Sequence, residues 1–155
     1  MSNLYAFESN WQVQAPLQEV VETLFDWKAW MKWWPGLESA KVNRASEKIV
    51  GSEISCVWRS AIGYRLKTTI EITDYRASKF LAFNSTGDLV GEGSWLFAAK
   101  PLLTEIIITW EVITTKSWMN VLSPFLKPLF AYNHRKLMRQ GERGLNRYMH
   151  HRDRE

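Results

Sequence analysis

The chain changes its hydrophobic period near its C-terminal end, and this change restricts the possible folds more than any other feature. Between Ser39 and Thr115, six segments alternate apolar and polar residues, and short turns separate them. This pattern predicts half-buried strands that follow one another as an antiparallel meander. From Leu122 to Met149, apolar residues instead recur three and four positions apart. The sequence therefore predicts a sheet that is followed by one long amphipathic helix.

The predicted strands lie at 39–43, 53–59, 64–75, 80–86, 89–99 and 104–115, and a further strand is predicted at 5–13. After that first strand, Pro16 is suited to the first position of a helix, and the apolar residues from Leu17 to Phe25 share one helical face. The segment WKAWMKWW adds a second short helix, which Pro35-Gly36 ends. The expected class is α+β, with the helices on one side of a strongly curved sheet.

The long helix is predicted to present two different faces. The inner face is expected to hold Leu122, Phe125, Leu126, Leu129, Phe130, Asn133, His134, Leu137, Met138, Gly141, Leu145, Tyr148 and Met149. The outer face is expected to hold Lys127, Arg135, Lys136, Arg139, Gln140, Arg143 and Arg147. Pro128 is expected to kink the helix. Gly141 and Gly144 lower its stability, and we expect them to leave space for a ligand or for close packing of a strand.

Composition excludes several classes of protein. A length of 155 residues with 46% hydrophobic residues predicts a single globular domain, 1–155. The net charge of +4 is concentrated near the C-terminus, where a basic helix face is most simply explained by solvation, so no nucleic acid partner is expected. The single cysteine, Cys56, rules out an internal disulfide and fits a reducing compartment. With no visible signal peptide or membrane span, a cytoplasmic location is predicted.

The order of elements resembles that of a known superfamily. The similarity rests on four stretches, WQVQAPLQEVVETLFDWKAWMKWWPGLESAKV, GDLVGEGSW, TWEV and HRKLMRQGERGLNRYM, and extends over nearly the whole chain. They resemble the START-like (SRPBCC) superfamily, in particular its polyketide cyclase/dehydrase and lipid-transport type. This resemblance implies the helix-grip fold, in which a curved antiparallel sheet of about six to seven strands wraps around the long C-terminal helix and leaves an apolar cavity. It does not by itself fix the function.

The tryptophan segment is expected to lie beside the open end of that cavity. It holds four tryptophans in eight residues, Trp27, Trp30, Trp33 and Trp34. Trp27, Trp30 and Trp34 share one helical face, and we interpret them as a partly mobile aromatic wall or lid. Lys28 and Lys32 lie on another face and are expected to remain in water.

The candidate ligand-binding residues are large apolar or aromatic side chains that the predicted inner faces bring together. They are Trp30, Trp34, Trp58, Tyr64, Leu66, Phe83, Trp95, Trp110, Phe130, His134 and Met138. Asn133 and His134 interrupt the apolar helix face and are expected to orient one polar end of a ligand. Arg59 and Asp88, at strand ends, are more simply explained as surface residues.

A search for catalytic patterns is mostly negative. No nucleophile elbow, zinc-protease motif or phosphate-binding loop is present, and no metal site or cofactor is predicted. Cys56 shares the parity of Trp58 and is expected to be buried and inert. His134 is the one candidate for acid-base catalysis.

Three functions follow from these patterns. The first is binding of a small apolar ligand of aromatic, polyketide-like or lipid-like character. The second is a cyclase/dehydrase-type enzyme that acts on such a ligand, with His134 as acid or base, and this version requires a polar partner for His134 in the cavity. The third is a peripheral membrane or nucleic-acid binder that uses the Trp/Lys segment and the basic helix face, without stable insertion in the membrane.

Overall fold

Seven strands form a single antiparallel sheet in the computed structural model, which describes residues 4–60 and 63–152. The strands are β1 (Leu4–Val13), β2 (Leu37–Arg44), β3 (Glu53–Arg59), β4 (Arg65–Arg76), β5 (Phe80–Gly87), β6 (Leu89–Lys100) and β7 (Leu103–Thr114). Their spatial order is β1-β7-β6-β5-β4-β3-β2, so β2 to β7 form a meander and β1 returns to pair with β7. The sheet is curved and does not close, which leaves β1 and β2 at its edges.

The helical elements occupy two stretches of the chain. Between β1 and β2 lie α1 (Leu17–Leu24), a 3-10 turn (Trp27–Ala29) and α2 (Trp30–Trp33); after β7 come α3 (Ser117–Val121) and α4 (Ser123–Arg152). This arrangement confirms the predicted α+β class and helix-grip fold. The sequence pattern did not predict α3, because five residues are too short to display a helical period. The long helix α4 runs through Pro128 as one element.

Side chains of α4 cover the open edge of β1. The backbone N–H of Gln12 donates to Glu142 Oε2 over 2.8 Å, and that of Gln14 donates to Asn146 Oδ1 over 2.8 Å. Asn146 Nδ2 in turn donates to the backbone oxygen of Gln12 over 3.0 Å. Because an uncovered edge strand exposes unpaired backbone groups, these bonds both satisfy the edge and fix the helix along the sheet.

The two glycines of α4 make room for the tryptophan segment. A Cβ atom on Gly144 would lie 1.6 Å from the backbone oxygen of Trp33, and one on Gly141 would lie 2.7 Å from ring atoms of Trp11 and Trp34. The space that these glycines leave is therefore taken by α2 and by two indole rings. At Gly141 the space thus serves close packing with a strand, as expected, through the Trp11 side chain of β1; at Gly144 it serves α2 and no ligand.

The predicted faces of α4 need three corrections at its N-terminal end. Leu122 and Phe125, which were placed on the inner face, are exposed, with Phe125 82% accessible. Lys127, which was placed on the outer face, is half-buried, and its Nζ lies 5.4 Å from the centre of the Tyr5 ring. For Phe125 the reason is its angular position around the helix axis. It precedes Arg143 by about five helical turns and so lies on the same side of the helix as that arginine.

Candidate functional site

Two adjoining chambers lie between the curved sheet and α4. The outer chamber has a volume of about 80 Å³ and the inner chamber a volume of about 70 Å³. Trp58, Trp110 and Leu137 line both chambers and so form the partition between them. Among the described residues, the space between sheet and helix thus consists of two small chambers that two indoles and one leucine divide.

The inner chamber is almost wholly apolar. Its aromatic wall consists of Phe25, Trp27, Trp30, Trp34, Trp58, Phe83, Trp95, Phe97 and Trp110. The N–H groups of three of these indoles are bonded to the protein: Trp30 Nε1 donates to the Leu24 oxygen over 2.9 Å, Trp34 Nε1 to the Leu137 oxygen over 2.9 Å, and Trp58 Nε1 to Thr68 Oγ1 over 3.0 Å. These bonds fix the rings and leave their apolar faces to form the chamber wall.

The tryptophan segment divides into wall and core. Trp27 and Trp30 are half-buried and line the inner chamber, together with the buried Trp34. Trp33 is only 3% exposed and lines neither chamber, and its ring stacks on that of Trp34 with an interplanar angle of 13°. Lys28 and Lys32 are exposed, as the sequence predicts. Three of the four indoles therefore form part of the wall, and the fourth belongs to the packed core.

The outer chamber carries the polar groups of the cavity. Asn133 Nδ2 donates to Tyr64 Oη over 3.3 Å, and both side chains line the chamber together with His134. Burial is the main cause that raises the pKa of Tyr64, and the bond from Asn133 opposes this effect. Asn133 Oδ1 and Trp110 Nε1 are buried and have no hydrogen-bond partner among the described residues. One end of the cavity thus combines aromatic walls with unsatisfied polar atoms.

His134 is the most strongly perturbed group in the outer chamber. Its ring stacks on Phe7, with 3.9 Å between the centroids and 11° between the planes, and lies 6.2 Å from the Trp110 ring. Desolvation, helped by the charge of the adjacent Arg135, lowers the pKa of His134 to about 4. The imidazole is therefore neutral at neutral pH. Its Nε2 atom has no hydrogen-bond partner in the part of the chain that the structure describes.

Two further residues that sequence patterns singled out have no catalytic environment. Cys56 is buried and lines the inner chamber, where desolvation raises the pKa of its thiol to about 12. Asp88 lies away from both chambers; its Oδ2 accepts the backbone N–H of Lys67 over 2.8 Å and lies 3.7 Å from Lys116 Nζ. Cys56 matches the prediction of a buried, unreactive thiol, and Asp88 is part of a strand-end bonding pattern.

Arg59 lies at the rim of the outer chamber. Its side chain is exposed, and its Nη1 atom is 3.9 Å from Glu38 Oε1. The stronger partner of Glu38 is Arg65, whose Nε donates to Glu38 Oε2 over 2.7 Å and so lowers the pKa of that carboxyl. Arg59 is therefore a surface residue, as expected, and it also supplies a positive charge at the entrance.

All eleven candidate residues line one chamber or both. Tyr64, Leu66, Phe130 and His134 face the outer chamber; Trp30, Trp34, Phe83, Trp95 and Met138 face the inner one; Trp58 and Trp110 face both. Sequence reasoning missed Tyr5, Phe7, Leu137 and Met119 as lining residues. The first three carry a usable signal, because Tyr5 and Phe7 share the inward parity of β1 and Leu137 lies on the predicted inner helix face. Met119 belongs to α3, which has no sequence signal.

No three His, Cys, Asp or Glu side chains within 4–60 and 63–152 are grouped so that they could hold a metal ion. Over the same residues, no helix combines the length and apolar character that crossing a bilayer would require.

Known structures with the same architecture support the assignment of the fold. The Zhui aromatase/cyclase from Streptomyces sp. R1128 superposes with a TM-score of 0.79 at 14% identity, over 96% of this chain and 95% of that one. The protein TTHA0849 from Thermus thermophilus gives 0.73 at 19% identity, over 91% and 97%. A START superfamily protein from Mycobacterium smegmatis gives 0.72 at 12% identity, over 91% and 94%.

No protein-family model matches the sequence, and neither does any curated protein. The similarity to solved structures nevertheless shows that the chain has the START-like fold of the polyketide-cyclase type. At these identities the similarity establishes the fold alone, and the function has to be inferred from the site.

Proposed function

We propose that the protein binds a small, mainly apolar ligand of aromatic, polyketide-like or lipid-like character in the two chambers. The observation that carries this proposal is the inner chamber, whose walls are aromatic and aliphatic and in which the N–H groups of Trp30, Trp34 and Trp58 are bonded to the protein. Concave sites with apolar walls and a few convergent polar groups are typical of small-molecule binding. Burial of ~300 Å² of ligand surface would contribute roughly 7 kcal/mol before the cost of association.

The ligand is expected to place a neutral polar group in the outer chamber. His134 is uncharged there, and Arg59 at the rim is the only cation among the described lining residues of either chamber. An anionic group inside would remain unpaired, which is costly in an apolar cavity. A hydroxyl group, by contrast, can donate to Asn133 Oδ1, and a hydroxyl or keto oxygen can accept from Trp110 Nε1; neither atom has a described partner otherwise.

The size of the chambers limits what fits without movement. Volumes of about 80 and 70 Å³ are each roughly half of the ~150 Å³ cavity that takes up benzene in an engineered protein, so a ring system requires the partition to shift. Leu137 and Trp110 are the movable members of the partition, because Trp58 is held by its bond to Thr68 whereas Trp110 Nε1 has no described partner. We therefore expect a ligand whose apolar part occupies the inner chamber and whose polar end remains beside His134.

Catalysis by a cyclase/dehydrase-type reaction is the less favoured alternative. An acid-base role for His134 requires a polar partner in the cavity, and Nε2 has none among the described residues. The similarity to an aromatase/cyclase concerns the fold, and the name of that protein describes its own activity.

A cytoplasmic location also remains a prediction from the sequence.

Native mass spectrometry of the protein from its own host, with a denatured control, tests for a bound molecule directly. A titration then tests the chemistry, with tryptophan fluorescence as the signal and 1-naphthol and 1-naphthoate as a neutral and an anionic probe of one shape. We expect saturable binding of 1-naphthol and at least about tenfold weaker binding of the anion. Equal affinity for both probes would contradict the neutral polar end.

A matched pair of variants locates the binding site. Leu66→Trp fills part of the outer chamber and should weaken 1-naphthol binding. Leu96→Trp adds the same side chain on the exposed face of β6 and should leave binding unchanged. If the two variants have the same affinity as the unmodified protein, the ligand binds elsewhere and the proposal fails.

A further inference from the structure

An exposed apolar surface lies at the junction of α3 and α4. Trp118, Val121, Leu122 and Phe125 are all exposed there, with Val121 73% and Phe125 82% accessible. We call these four residues the apolar tip. Isolated exposed apolar side chains are ordinary, but four within eight residues form a patch of the kind that marks an interaction site.

The apolar tip adjoins the wall of the outer chamber. The Trp118 ring contacts the rings of Tyr64 and Phe130, with centroid distances of 5.8 and 6.3 Å, and both of those residues line the chamber. Met119, on the buried side of α3, lines it as well. The tip is therefore the outer surface of a thin wall whose inner surface faces the cavity.

A row of positive charge continues from the tip along α4. Phe125 and Arg143 are about five turns apart and so lie in line, over about 27 Å. The exposed basic residues on this side, which we call the basic stripe, are Arg135, Lys136, Arg139, Arg143 and Arg147, and the exposed Tyr132 lies between them and Phe125. Glu142 points away from the line, since its Oε2 accepts the backbone N–H of Gln12. Among the described residues of α4, the exposed line contains no acidic side chain.

We propose that the apolar tip and the basic stripe together dock the protein on an anionic lipid bilayer. The tip enters the boundary between headgroups and acyl chains, and the stripe lies against the lipid phosphates, as in helices that bind in the interface. This surface differs from the Trp/Lys segment that the sequence suggested, where Trp33 and Trp34 are buried. Docking here needs no ligand in the cavity, and it places the wall of the outer chamber against the lipid.

Charge and apolar surface together favour a bilayer over the other partners. Nucleic acid offers phosphates to the stripe but leaves the tip exposed to water. A second copy of the chain would cover the tip but would bring one basic stripe close to another. An anionic bilayer satisfies both parts of the surface at once.

Vesicle flotation tests the proposal on the ligand-free protein. We expect binding to vesicles of phosphatidylcholine with phosphatidylglycerol, weaker binding to phosphatidylcholine alone, and loss of binding as salt rises. The pair Val121→Asp with Phe125→Asp should reduce binding at least about tenfold. Leu102→Asp is the matched control, because Leu102 is 95% exposed in the turn between β6 and β7, at the end of β7 opposite the apolar tip. This variant should bind as the unmodified protein does.

Charge reversal and a fluorescent label separate the two parts of the surface. Arg139→Glu with Arg143→Glu should abolish the preference for anionic vesicles. Cys56 is buried, so an environment-sensitive dye can be attached at Phe125→Cys, with Leu102→Cys as the control. A blue shift on anionic vesicles is expected at position 125 only.

Three results would overturn the proposal. They are unchanged flotation of the Val121/Phe125 double variant, self-association through the tip without vesicle binding, and binding to a duplex oligonucleotide with none to vesicles. Each can be obtained whatever the outcome of the naphthol titrations, so failure here is distinct from failure of the ligand-binding proposal.

Discussion

The two chambers share three wall residues but satisfy their polar groups in different ways. In the inner chamber, the indole N–H groups of Trp30, Trp34 and Trp58 all donate to protein oxygens. In the outer chamber, His134 Nε2 and Asn133 Oδ1 are buried without a described partner. A buried polar atom without a partner costs about 1–3 kcal/mol, whereas a satisfied one costs little.

Because of this difference, the two ends of the cavity have different roles in ligand binding. The bonded indole N–H groups hold the walls of the inner chamber in place, so this chamber keeps a fixed apolar shape. Unsatisfied groups make the outer chamber the place where a ligand can add hydrogen bonds that the protein lacks. The following predictions change one chamber, or the partition between the two, and so test this comparison.

The largest effect is expected from the titration of His134. Its pKa falls from 6.5 to about 4 on folding, so between these values the unfolded chain binds more protons than the folded one. Stability from this group is therefore complete above pH 6.5 and is lost as the pH falls towards 4, by about 3 kcal/mol in all.

Urea unfolding as a function of pH measures this effect. His134→Leu should remove most of the loss between pH 6.5 and 4, whereas His150→Leu, at an exposed position near the end of α4, should not. The same acid-side loss in both variants would mean that other groups cause it.

The partition residue Leu137 should have the next largest effect. Leu137→Ala joins the two chambers, and we expect it to cost roughly 2 kcal/mol because the side chain is only half-buried. It keeps the backbone oxygen that accepts the Trp34 N–H. Affinity for 1-hydroxypyrene should rise relative to 1-naphthol, since the larger ring system no longer has to displace the partition.

Leu126→Ala provides the comparison for this prediction. Leu126 also lies on α4 and packs against the core, but it lines neither chamber. Both variants should lose stability in chemical denaturation, and only Leu137→Ala should change the ratio of the two affinities. A similar shift in Leu126→Ala would indicate general loosening of the helix.

Gly144→Ala tests the support behind the inner wall. Its Cβ atom would lie 1.6 Å from the Trp33 backbone oxygen, so α2 or α4 has to move. Overpacking of this kind outweighs the ~1 kcal/mol that alanine adds to helix propensity, and we expect a net loss of about 2 kcal/mol.

Thermal or urea unfolding measures the loss in Gly144→Ala, and Arg143→Ala, exposed on the same turn, should change stability by less than about 0.5 kcal/mol. Near-UV circular dichroism should also change in the glycine variant, because the indoles of α2 shift. An unchanged spectrum and unchanged stability would show that the helices separate freely at this contact.

The sequence predicts the structure best where a periodic pattern extends over a long segment. Segments such as 64–75 and 104–115 alternate over enough residues to define both strand and inward face, which is why Leu66 and Trp110 could be placed on the cavity wall. The inner stripe of α4 was equally readable from Phe130 to Met149. The prediction for Phe125 was wrong because a strict helical period places it in line with Arg143, about five turns on, and so on the outer side.

Contacts between distant elements could not be read from the sequence. Nothing local indicates that Gly144 lies against Trp33, or that Leu137 meets Trp58 and Trp110 to divide the cavity. The segment WKAWMKWW likewise has a clear helical face, but only the packing against α4 decides that Trp33 is core and Trp30 is wall. These features depend on the curvature of the sheet, which no single segment encodes.

The smallest effect is expected from Trp58→Phe, which removes the hydrogen bond that holds this ring in the partition. Phenylalanine keeps an aromatic ring in the partition but removes the donor to Thr68 Oγ1, and Thr68 is itself buried. We expect a loss of about 1 kcal/mol from the missing bond and the smaller ring. Trp58→Phe combined with Thr68→Val removes both partners and should recover part of that loss, as measured by a double-mutant cycle in urea. If the double variant loses more stability than the two single variants lose together, the bond does not set the position of the ring. The inner chamber would then be no more fixed than the outer one.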